Sequence, residues 1–172
     1  NLGPDHLPER NGTRAVPFVC TVPEDAGEPS RAGLYGHGLL GEGAQANSSY
    51  VRALSAEHDM TFCGVDYIGM ADEDLPAVAT ILQDLSRFAI LPDRNQQGLL
   101  NFMILGRLLT SPEGLVTHAA FQHGDGSPAV DGSDLTYYGL SQGGIMGGAL
   151  VAVNPDLTRG VLYILLPISV IG

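Results

Sequence analysis

The tightest constraint on what this chain can fold into is a turn with almost no residues in it. Residues 135–138 read as a strand and residues 145–153 as a helix of small and apolar side chains, with only Gly139-Leu140-Ser141-Gln142-Gly143-Gly144 between them. A strand passes to a helix in so short a space through a sharp turn, and the glycines flanking Ser141 supply the backbone freedom for it. A strand leading straight into a helix is the building unit of parallel sheets, whose strands must be joined by crossovers.

The rest of the chain repeats that unit. Residues 14–22 alternate, placing Val16, Phe18, Cys20 and Val22 on one side of a strand. Residues 31–35 form a short apolar strand that ends in the glycine-rich turn Gly36-His37-Gly38-Leu39-Leu40-Gly41. A helix carrying Val51 and Leu54 is expected from Ser48 or Ser49, either of whose hydroxyls can cap it. Residues 60–65 read as the next strand, with Asp66-Tyr67-Ile68-Gly69 as its exit turn.

Helical spacing returns over residues 75–91, with Val78, Ile81, Leu82, Leu85 and Phe88 on or near one stripe, and Pro92 is expected to stop or kink that helix. A second helix is expected over 95–109 and a short third one from Ser111-Pro112-Glu113. Residues 124–134 read as a polar loop, and residues 160–166 as another fully apolar strand. The pattern predicts an α/β fold, a mostly parallel sheet with helices on both faces. Residues 1–13 read as an irregular lead-in and 14–172 as one domain, within which 72–123 is a helical crossover or a lid.

Composition narrows the function. The 172 residues carry eight arginines, no lysine and nineteen acidic residues, a formal net charge of −11, which disfavours nucleic acid as a partner. No run of eighteen apolar residues marks a membrane span. Neither glycine turn matches a phosphate-binding or dinucleotide fingerprint, and no histidine or carboxylate spacing marks a metal site, so no cofactor is implied. Cys20 and Cys63 read as two free, buried thiols, with a disulfide between adjacent strands as the alternative in a secreted protein. Asn11-Gly12-Thr13 and Asn47-Ser48-Ser49 match the short glycosylation pattern.

Gly139-Leu140-Ser141-Gln142-Gly143 is a G-x-S-x-G between strand and helix, the context in which that motif holds a nucleophilic serine above a sheet. The turn puts Ser141 at a helix N-terminus, where the Gln142 N–H can stabilise developing negative charge. The loop after the second strand can bring a second donor, the Leu39 N–H in preference to that of Leu40, toward the same oxyanion, with His37 fixing the loop and not acting as base. The alternatives are an ordinary serine-capped glycine turn and a lone loop histidine.

These segments resemble the α/β-hydrolase superfamily, particularly its secreted esterases and lipases, from residue 14 to residue 166. The resemblance rests on Gly36-His37-Gly38-Leu39, on Asp66-Tyr67-Ile68-Gly69 and on the serine turn at Gly139 to Gly143. It implies a serine-dependent carboxylic ester hydrolase, working through an acyl-enzyme on a small ester or lipid-like substrate, in an extracellular or periplasmic setting. It also implies that the Asp66 to Gly69 turn shapes the active-site rim, for which a simple Asx turn is the alternative.

The resemblance departs from the family at the triad, whose chain order is nucleophile, acid, histidine. After Ser141 the chain offers Asp156, expected as a solvent-facing loop carboxylate, and no histidine. The expectation is therefore an amino-terminal portion, truncated after the strand that follows the serine helix, whose acid and histidine lie in a carboxyl-terminal segment beyond Gly172. An upstream histidine, His6, His58, His118 or His123, is the substitute that geometry would have to supply. The rival function is a non-catalytic hydrolase-like scaffold that binds through the same cleft.

Overall fold

The computed structural model describes residues 4–5, 9–10, 12–24 and 28–164. Five strands, β1 (Phe18–Thr21), β2 (Ser30–Gly36), β3 (Met60–Val65), β4 (Val130–Leu140) and β5 (Leu157–Tyr163), form one sheet in the order β1-β3-β2-β4-β5. β1 runs antiparallel to β3, and every other neighbouring pair is parallel. Four α-helices, α1 (Ser49–His58), α2 (Leu75–Gln83), α3 (Ile90–Thr110) and α4 (Gln142–Val153), together with short 3₁₀ turns, make the connections. The protein is thus α/β with a mostly parallel sheet.

The period-two alternation of the strands creates two cores. Leu34, Cys63, Val65, Leu135 and Tyr137 point to one face, where they pack with Phe102, Leu105 and Leu109 of α3 and Leu150 of α4. Tyr35 and Phe62 point to the other and pack with Val51 of α1 and Ala46. Each fully buried leucine or phenylalanine here contributes about 2 kcal/mol of transfer free energy. The Ser48 hydroxyl accepts the Val51 N–H and caps α1, as its position in the sequence predicts.

Several boundaries differ from expectation, each for a local reason. The helix expected over 75–91 ends at Gln83, because Asp84 adopts an extended backbone and its carboxylate takes the N–H and hydroxyl of Ser86. Pro92 does not end a helix; it sits in the first turn of α3, where a missing N–H costs nothing. Of the stripe expected from Val78 to Phe88 only Ile81 is buried, while Leu82, Leu85 and Phe88 are exposed. The short helix expected after Ser111 is a 3₁₀ turn at Leu115–Thr117.

β4 begins at Val130, inside the segment read as loop, because Val130 and Asp131 pair with Ser30 and Arg31 before a register shift. β5 begins at Leu157, three residues earlier than expected, while Leu165 and Leu166 at its expected end lie outside the described residues. Between β3 and β4 the chain forms α2 and α3, and α3 packs its buried residues on the sheet.

The largest correction concerns the cysteines. Cys20 and Cys63 stand directly opposite one another on β1 and β3 and form a disulfide. The free-thiol expectation failed because nothing in a separation of 43 residues announces that the two strands are antiparallel neighbours.

Candidate active site

β2 and β4 end together: Tyr35 pairs with Tyr138 and Gly36 with Gly139. The residues that follow these strands therefore share one end of the sheet. Ser141 forms the turn between β4 and α4 with φ 56° and ψ −114°, a region that costs a residue with a side chain about 1–3 kcal/mol. Its N–H donates to the Tyr163 carbonyl at 2.7 Å, and its carbonyl accepts the N–H groups of Gly144 and Ile145. Its hydroxyl makes no capping bond to α4, and the residue is exposed. An ordinary serine cap would have an extended backbone and a hydroxyl turned back onto the helix; neither holds here.

The loop after β2 lies against this turn. A Cβ built on Gly38 would stand 3.8 Å from the Ser141 Cβ, and one on Gly143 would collide with the Gly36 carbonyl. The loop is also tied to the exit of β3, since the Leu40 N–H donates to Met70 O at 2.9 Å and the Asp72 N–H to Gly41 O at 3.0 Å. Leu40 has φ 52°, and its N–H is committed to Met70. Of the two donors weighed for this loop, Leu39 is the one whose N–H has no protein acceptor among the described residues. The Leu39 side chain is exposed. Gln142 opens α4, so its N–H lies in the unpaired first turn, while its buried side-chain amide has no protein partner among the described residues.

His37 is wholly buried, and both ring nitrogens are engaged. Its Nε2 accepts the Tyr67 N–H at 2.8 Å, so Nδ1 carries the proton and donates to Gly38 O at 2.7 Å. Burial pushes its pKa below the ordinary histidine value, against weaker opposing effects from the Gly38 carbonyl, Asp66, Asp72 and Glu42. A neutral ring with no free nitrogen holds a loop and cannot relay a proton, which matches the structural role expected of it.

The Asp66 turn is not a simple Asx turn. The turn hydrogen bond runs from the Met70 N–H to Tyr67 O, with Gly69 at φ 102°, and Asp66 instead accepts the Gly43 N–H at 2.6 Å. Buried Asp74 accepts the N–H groups of Gly69 and Ala71 and pairs with Arg94 at 2.5 Å, bracing the same exit.

No histidine or carboxylate is hydrogen-bonded to the Ser141 hydroxyl among the described residues. His118 caps a 3₁₀ turn by accepting the Ala120 N–H and lines a cavity with Phe18, Cys20 and Val22, and His123 lies in the turn that enters β4, at the opposite end of that strand from Ser141. His58 closes α1 just before β3, again at the far end, and His6 lies outside the described residues. Asp156 is not solvent-facing: its N–H is held by Asn154, and its partly buried carboxylate pairs with Arg107 of α3 at 2.9 Å.

Two residues of the site went unread in the sequence, Tyr67 and Tyr137. Their hydroxyls meet at 2.7 Å in the core, and Tyr137 donates to Gly143 O at 2.6 Å. The one available signal was a tyrosine four residues before the serine, among glycines that leave room for its ring. No group of three or more histidine, cysteine or acidic side chains among the described residues has the geometry of a metal site. Comparison of the chain with protein-family models, with curated proteins and with solved structures returns no match.

Proposed function

We propose that this chain carries the nucleophile half of a serine-dependent carboxylic ester hydrolase of the α/β-hydrolase type. The observation that carries the reading is Ser141 itself: an exposed, uncapped hydroxyl on a strained strand-to-helix turn, facing the glycine loop after β2. In this mechanism Ser141 Oγ attacks the ester carbonyl, and the Leu39 and Gln142 N–H groups hold the tetrahedral oxyanion. The alcohol leaves, and water then releases the acid from the acyl-enzyme.

The histidine that takes and returns the proton, and the carboxylate that orients it, come from outside the residues described above. β5 supports that requirement. It is a parallel strand at the sheet edge whose residues after Leu157 are all exposed, Val161, Leu162 and Tyr163 included, whereas parallel strands are ordinarily covered on both faces. The reading therefore includes a further segment of the same protein that covers β5 and completes the triad. The disulfide fits an extracellular or periplasmic setting, and no helix among the described residues is long and apolar enough to cross a membrane.

The test is reaction of the naturally produced protein with a fluorophosphonate probe, followed by intact mass and peptide mapping. An adduct on Ser141 that is lost in Ser141→Ala supports the hydrolase. A folded protein left unlabelled supports the rival scaffold.

A further inference from the structure

Two short runs of hydrogen bonds, joined through the covalent body of Tyr67, pass beneath the two loops of the site. The first starts at Gly38 O, held by His37 Nδ1, and passes through His37 Nε2 to the Tyr67 N–H. The same residue's phenol begins the second: Tyr137 spends its single proton on Gly143 O, so Tyr67 must donate to Tyr137. The first run thus grips the loop that presents Leu39, and the second grips the first turn of α4, which presents Gln142.

The packing around Tyr137 shows that its hydroxyl, and not only its ring, is accommodated. A Cβ on Gly36 would collide with the Tyr137 hydroxyl, and Cβ atoms on Gly139 and Gly147 would meet its ring edge. The ring of Tyr67 stacks on Phe102 with centroids 4.1 Å apart, so the second phenol is also fixed. Burial raises the pKa of both phenols, which keeps them protonated donors at all ordinary pH. In an α-helix Gly143 O also accepts the N–H of residue 147, so the phenol adds direction to a carbonyl that is already bonded.

We propose that Tyr137, backed by Tyr67, is a positioning residue for the oxyanion site, setting the Gln142 N–H in register with the loop that carries the Leu39 N–H. The proposal rests on the hydrolase reading above. It concerns the transition state alone, because donors aimed at a developing oxyanion contribute little to holding the neutral ester.

The experiment compares full-length protein, as naturally produced, with Tyr137→Phe, Tyr67→Phe and Ser141→Ala on p-nitrophenyl butyrate, with phenylboronic acid as an inhibitor. Tyr137→Phe should lower kcat about tenfold with KM within about twofold, less than the 10²–10³ that loss of an oxyanion donor itself costs. Boronate affinity, which reports the tetrahedral adduct, should weaken by the same factor. Tyr67→Phe leaves the Tyr137 bond in place and should lower kcat about threefold, and it decides the matter if Tyr137→Phe does not fold. A kcat within twofold of wild type, or a change in KM alone, overturns the proposal while Ser141-dependent turnover stands. Wild-type turnover no greater than that of Ser141→Ala overturns the hydrolase reading, and the positioning role falls with it.

Discussion

Removing the Cys20–Cys63 disulfide gives a loss of stability whose size follows from where the bond sits. The bond closes a loop of 43 residues, for which chain-closure entropy gives about 13 cal/mol/K, or about 4 kcal/mol at 25 °C. β1 is four residues long, pairs in the sheet only with β3 and rests on the Gly43–Asn47 turn, where the Thr21 hydroxyl donates to Ala46 O. Cys20→Ala with Cys63→Ala should therefore lower the unfolding free energy by about 4 kcal/mol and Tm by about 10 °C for a chain of this size. The assay is urea and thermal unfolding by circular dichroism, after peptide mapping without reductant has shown the bond in the parent. Hydrogen exchange should show β1 amides opening first in the variant. A loss under about 1 kcal/mol, or native thiols that react with a maleimide under oxidising conditions, would refute the reasoning.

Three further outcomes follow from the site. As pH falls below about 6.5 the unfolded chain protonates His37 more readily than the folded chain does, because burial lowers the pKa of the ring, so its contribution to stability is complete above about pH 6.5 and is lost as pH falls through its depressed pKa. The urea midpoint of the parent should accordingly fall more steeply below pH 6.5 than that of His37→Asn. Gly36→Ala should cost about 2 kcal/mol by forcing a methyl into the Tyr137 hydroxyl, and less in a Tyr137→Phe background, as a double-mutant cycle would read. Asp74→Ala should cost about 3 kcal/mol in chemical denaturation, because it leaves the Gly69 and Ala71 N–H groups and Arg94 without their acceptor.

Much of this was legible in the residues because it is local. Strand β3, the start of α1 at its Ser48 cap and the strained turn at Ser141 each depend on residues within a few positions of one another. The structural role of His37 was legible from its place after a strand. The break at Asp84 was missed because a short side-chain turn overrode a good apolar period, and Pro92 was misread because its effect depends on how far it lies into a helix. The true start of β4 was hidden because Val130 is followed by the polar run Asp131 to Asp134, and Val130 and Asp131 take strand form by pairing with β2.

By itself the sequence determined the alternation of strand and helix, and hence a parallel α/β sheet, together with the serine turn whose glycines permit only one kind of junction. Those properties are set by backbone sterics and short-range periodicity, which act before the chain is folded. Only the tertiary structure decided that Cys20 meets Cys63, that Asp156 meets Arg107, and that His37, Tyr67 and Tyr137 join two loops through the core. Such contacts depend on strand order and register, and these are chosen by burial across the whole sheet, a quantity that no local stretch of residues contains.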